Sequence, residues 1–129
     1  MIIAESGQGN YFTQVSNGTA IINADVTKEK GGGGNSFRPH DLICAGFASC
    51  LNITIRMVLD RMNLKYSNVI TKVDLDRKED STTFLYQAEI LGDIDSETKE
   101  KVISKALNCP VRKTLSKDID FQPVKNCKM

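Results

Sequence analysis

Two cysteines carry most of the chemistry this sequence could perform. Cys109 stands immediately before Pro110. A proline there presets the first turn of a helix and supplies no N–H of its own. A thiol at such a start faces unpaired backbone N–H groups and the positive end of the helix dipole, so the pattern predicts a lowered pKa and a thiolate. Cys50 lies 59 positions earlier, among the small residues Gly46, Ala48 and Ser49, which let backbone or ligand approach its sulfur. Its own helix gives it no comparable help, so it needs a cation or donor nearby; Arg38, His40 and Arg56 are the candidates. Free cysteine is also among the most buried residue types, so both thiols read equally as small core hydrophobes.

The remaining candidates are weaker. Cys44, six positions before Cys50, reads as core, and Cys127 in the polar tail reads as exposed and incidental. The chain has one histidine and no closely spaced Cys pair, which argues against a zinc site. His40 reads either as a general base or thiol partner, or as a surface residue at a helix start. Arg56 and Asp60 are spaced as an i,i+4 ion pair. Ile43, Phe47 and Met57 would give the surroundings of Cys50 apolar walls, with Met57 on the Cys50 face of the helix.

These residues must be positioned by a long helix. From Pro39 to about Met62 there is one Gly after the opening turn and no further Pro, and apolar residues fall on every face. A helix apolar all round is normally buried. Before it, Tyr11–Ser16 and Thr19–Val26 flank Asn17-Gly18, which predicts a hairpin with a two-residue I′ turn. Ile2–Ala4 reads as an added edge strand. Gly31–Gly34 reads as a flexible linker, or as a flap over Cys50. After the helix, Val69–Asp76 and Thr82–Leu91 alternate as half-buried strands that pair antiparallel. Asp95 or Ser96 caps a helix from Glu97 to Leu107, Pro110 starts a short one, and Ile119–Phe121 reads as a last strand. Strands, long helix, strands, helix pair and strand make an α+β chain with an antiparallel sheet.

The 129 residues suit a single domain over 1–129, with no internal repeat. The 17 basic and 16 acidic residues are mixed along the chain, with no basic stripe, which argues against a nucleic-acid partner. Asn52, Arg56 and Asp60 interrupt the apolar run, so no membrane span is expected, and the start has no signal-peptide pattern. The expected location is the cytoplasm, where cysteines stay reduced. The apolar surface of hairpin and helix exceeds what one chain can cover, which favours a homodimer.

The motif Pro-x-x-Leu-x-x-Ala-Gly-Phe-Ala-x-Cys (Pro39 to Cys50), followed by Asn108-Cys109-Pro110-Val111 and Leu115, resembles the OsmC/Ohr family of osmotically inducible and organic hydroperoxide resistance proteins. The likeness runs from about Gly31 to Phe121 in element order. It implies an OsmC-like fold, an antiparallel sheet wrapped around a long central helix, in an intertwined homodimer. It also implies reduction of small organic hydroperoxides, with Cys50 peroxidatic and Cys109 resolving. A dithiol, in this family sometimes a lipoyl protein, would be the reductant, and no metal, flavin or haem cofactor is needed. The organic hydroperoxide branch carries a Glu after the motif Pro and an Arg in its first strands; this chain has His40 at that position and no Arg before Arg38. Arg38 as cation and Asp41 as its partner are the positional substitutes. The alternative reading is a non-catalytic or redox-sensing dimer that binds a small apolar ligand.

Overall fold

The computed structural model describes residues 1–124. Its elements are β1 (Ile3–Ser6), β2 (Thr13–Ser16), β3 (Ile21–Ala24), α1 (Pro39–Arg61), β4 (Asn68–Arg77), β5 (Thr82–Leu91), α2 (Ser96–Ala106) and α3 (Pro110–Leu115). The fold is α+β, with antiparallel sheets and one long helix, as the order of elements predicts.

Both ends of α1 follow from local chemistry. Pro39 occupies the first helical position, and Asp41 reaches back to accept the backbone N–H of Arg38 at 2.9 Å. That satisfies one donor the helix leaves without a partner. At the far end Asn63 takes the left-handed conformation, with φ 55°. The Leu64 N–H then bonds the Leu59 carbonyl at 3.0 Å and the Asn63 N–H the Asp60 carbonyl at 3.1 Å, closing the helix as a Schellman turn. Phe47, Leu51, Ile55 and Leu59, spaced four apart, are buried. The other apolar residues are not: Ile43, Ile53, Met57 and Met62 are exposed on this single chain. All-round burial is therefore corrected to burial along one stripe. The helix is long and apolar enough to cross a membrane, contrary to the expectation from its interruptions, but the buried stripe packs it as a core helix.

The chain divides into two compact units. The first comprises Met1–Ala48 and Lys72–Gln87. In it β1, β2 and β3 form an antiparallel meander, with Ile3 opposite Ser16 and Ser16 opposite Ile21. The register leaves four loop residues, 17–20, rather than a two-residue I′ turn. Asn17 does not supply the expected positive φ. Its side-chain oxygen instead accepts the N–H groups of Thr19 and Ala20, at 2.9 and 2.8 Å, and only Gly18 is left-handed, at φ 97°. The glycine run is tied by hydrogen bonds to the residues before it. Buried Asp25 accepts from Val26 N–H at 2.7 Å and Gly33 N–H at 2.9 Å, while Gly32 N–H bonds the Thr27 carbonyl. Phe47 packs edge-on against Phe84 and Tyr86, each with ring centroids 5.8 Å apart.

The second unit comprises Ser49–Thr71 and the chain from Ala88 on. Here the Asn52 side chain donates to the Val69 carbonyl at 2.9 Å, tying α1 to β4, and Ser67 N–H bonds the Leu91 carbonyl at 2.7 Å. The β4–β5 hairpin spans both units and closes where Lys78 N–H meets the Ser81 carbonyl. Asp95 caps α2 by accepting Thr98 N–H, and Val102 and Ala106 are its buried face. Residues 119–121 form no strand; Ile119 and Phe121 are exposed.

Candidate active site

Cys50 sits near the middle of α1, half-buried, and Cys109 is the fully buried N-cap of α3. Both are free thiols. Cys109 has extended backbone, φ −63° and ψ 157°, and Pro110 follows at the first helical position. Because Pro110 has no N–H, the first donor of α3 belongs to Val111. That N–H points to the Cys50 sulfur, 3.5 Å away across 61 positions of sequence. The Cys50 sulfur lies near enough to Cys109 to act on its thiol.

The electrostatics invert the sequence expectation for Cys109. Burial pushes its thiol above the ordinary thiol range, the N–H groups of Arg112 and Val111 pull it back, and the Cys50 sulfur pushes it further up. Helix-start donors are present as expected, but the missing solvent outweighs them. One of those donors also serves Cys50, a sharing that the bare adjacency of Cys109 and Pro110 does not reveal. The absence of an N–H on proline is the signal that points to Val111.

The other expected catalytic residues, Arg38, His40 and Asp41, belong to the first unit. Arg38 and Asp41 form a two-point ion pair, with Nη2–Oδ1 at 2.9 Å and Nε–Oδ2 at 3.2 Å. The side chain and backbone N–H of Arg38 hold the Asp41 carboxyl below the usual carboxylate range. His40 Nε2 lies 3.1 Å from Arg77 Nη1 at the end of β4. Guanidinium only donates, so a hydrogen bond here requires Nε2 to accept, which is the Nδ1–H tautomer. Arg77 is 37 positions from His40, and nothing in the sequence marks it as a partner. Arg56 turns back to Asn52, with Nε–Oδ1 at 2.9 Å, rather than forward to Asp60 as its spacing predicts.

Arg38, His40, Asp41, Cys44, Asp74 and Arg77 line a cavity of about 550 Å³. Cys44 is thus half-buried beside charge rather than packed in the core. Burial, then Asp74 and Asp41, push its thiol up. A second cavity in the same unit, about 530 Å³, is apolar and includes Tyr11, Val15, Val26 and Leu42. Of the expected pocket walls, Phe47 is buried, while Ile43 and Met57 are exposed. Cys127 lies outside the described residues. Among the described residues, no three His, Cys, Asp or Glu side chains gather as a metal site.

The chain is similar to several known proteins. "Organic hydroperoxide resistance protein-like 2" of Staphylococcus epidermidis (strain ATCC 12228) is 29% identical over 111 residues, covering 81% of this chain and 78% of that protein. Among solved structures, an organic hydroperoxide resistance protein OsmC from Legionella pneumophila superposes with a TM-score of 0.63 at 24% identity, covering 90% of this chain and 89% of the other. An OsmC-like protein from Mycoplasma pneumoniae superposes with a TM-score of 0.69 at 16% identity, covering 89% and 85%. At these identities the two structures speak for the fold alone. The model of the OsmC-like protein family matches residues 31–123, most of the chain, a range within which Cys50 and Cys109 lie. The chain belongs to the OsmC-like protein family.

Proposed function

We propose that this chain is a thiol-dependent reductase of organic hydroperoxides. The observation that carries the reading is the meeting of Cys50, Cys109 and the Val111 N–H in one place. The name of the Staphylococcus relative, with its reference to organic hydroperoxide resistance, supports the substrate class.

The half-exposed sulfur is the better placed nucleophile, and an anionic Cys50 would accept the Val111 N–H more strongly than a neutral one. Its thiolate attacks the distal peroxide oxygen. An S–O bond forms, the O–O bond breaks, the alcohol leaves with a proton, and Cys50 becomes a sulfenic acid. Cys109 then attacks that sulfur. The disulfide forms as the S–O bond breaks, and the hydroxyl leaves as water with the proton of Cys109. A dithiol reductant, such as a lipoyl group on a protein, restores both thiols by exchange. The exposed apolar face of α1 favours a homodimer, and the expected compartment is the cytoplasm. The apolar 530 Å³ cavity favours one second reading, a redox-sensing dimer that binds a small apolar ligand.

The test is to mix reduced protein with cumene hydroperoxide or hydrogen peroxide and follow thiol loss and intact mass. Wild type should lose two hydrogens rapidly, faster with the organic peroxide. Cys109→Ser should form no Cys50–Cys109 disulfide, and Cys50→Ser should be inert. Slow, equal oxidation of all three sinks the proposal and leaves the ligand-binding reading.

A further inference from the structure

The amide nitrogen of Val111 lies within hydrogen-bond distance of the Cys50 sulfur, 3.5 Å away. It is the first N–H of α3, at a position where a helix offers no internal acceptor. The next N–H, on Arg112, serves Cys109. Cys50 therefore has two groups at the start of α3 within reach: a thiol and a backbone amide.

A sulfenic acid condenses with a thiol to give a disulfide, or with a backbone nitrogen to give a sulfenamide. Resting on the reading of Cys50 as the residue that a hydroperoxide oxidises, we infer that the Val111 amide is a second trap for the Cys50 sulfenic acid, forming a Cys50–Val111 S–N bond when Cys109 does not react. The nitrogen bonds to sulfur as the S–OH bond breaks, and the amide proton leaves with the hydroxyl as water. Sulfur keeps the oxidation level the hydroperoxide gave it, so no further oxidant is consumed. A dithiol reverses the step. One thiolate attacks the sulfur, the nitrogen recovers a proton, and the second thiol releases Cys50 as the reductant becomes a disulfide. The bond shields Cys50 from the sulfinic state, which thiols do not repair. Cys109 is buried, and burial disfavours its thiolate.

The experiment uses the full chain with Cys44→Ser, Cys109→Ala and Cys127→Ser, so that Cys50 is the one remaining thiol. One equivalent of cumene hydroperoxide should yield a species about 2 Da lighter than the reduced protein, with the Cys50 and Val111 peptides joined, and dithiothreitol should restore the mass; a sulfenic acid is about 16 Da heavier. Adding Val111→Pro removes the N–H at a position where the first helical turn tolerates proline, so the lighter species should vanish and sulfenic acid accumulate, passing to sulfinic acid when a second equivalent is added. Val111→Ala keeps the N–H and should keep the lighter species. A chain that yields only sulfenic acid, trapped by dimedone, or sulfinic acid overturns the inference while leaving the peroxidase reading intact. A lighter species that survives Val111→Pro also overturns it. No mass change in any chain overturns both.

Discussion

Cys109 shows how solvent exclusion governs a side chain that local sequence would assign to a helix dipole. Folding raises its pKa above the ordinary thiol value of 9.0, so the folded chain holds this proton more tightly than the unfolded chain. The resulting stability is complete below that value and is lost as pH climbs through the raised, folded one. Cys44 shifts in the same direction and adds to the loss. In the presence of reductant, the urea midpoint of wild type should therefore fall between about pH 7 and about pH 10, and by less in Cys109→Ala. Equal losses would remove Cys109 from the account. His40 offers a second test at this scale. It is the chain's single histidine, so its ring nitrogens can be followed without ambiguity by NMR. The Nδ1–H tautomer should predominate in wild type and mix with the other in Arg77→Ala. A tautomer ratio unchanged by the substitution would mean that Arg77 does not set it.

The glycine run and α1 are the elements where packing decides the outcome of substitution. A Cβ on Gly32 would lie 2.3 Å from the Val26 carbonyl oxygen and 2.4 Å from Asp25 Oδ1, so backbone must move. On Gly33 the nearest atom is Asp25 Oδ2 at 3.2 Å, the end of a side chain. Gly32→Ala should therefore lower the thermal midpoint clearly more than Gly33→Ala; equal effects would mean that the loop is not held as described. Asp25→Ala removes the acceptor for two backbone N–H groups in a buried place and should cost about 1–3 kcal/mol in denaturant unfolding. On α1, truncating fully buried Leu51 to Ala should cost about 2–5 kcal/mol. The helix itself was legible from Pro39 and its unbroken apolar run. The glycine loop was not, because composition alone does not reveal that Asp25 would turn its carboxylate onto residues eight positions away.

At the scale of the whole molecule, the α+β order and membership in the OsmC-like family agree, yet one chain leaves much of α1 uncovered. Ile53 is 43% and Met57 51% exposed, on a helix whose apolar residues occupy every face. The proposed dimer accounts for that surplus. Sedimentation of wild type should give twice the 14.3 kDa chain mass, and Ile53→Asp should release folded or partly folded monomer. A wild-type monomer at micromolar concentration would leave the exposed face without a second copy to cover it.

The sequence alone determined the elements whose cause is local: the start and end of α1, the alternating strands β4 and β5, the capped helix α2, and the proline-led turn that carries Cys109. Each depends on neighbours within a few residues, through φ preference, side-chain caps or hydrophobic period. The two-residue turn at Asn17, the strand at 119–121 and the lowered pKa of Cys109 did not survive, because register, pairing and burial are set by groups far along the chain. Only the tertiary structure decided that Val111 N–H would reach Cys50, that Arg77 would meet His40, and that Asp25 would order the glycines. Bringing distant groups together takes the summed packing of several elements, and no short stretch of sequence encodes that sum.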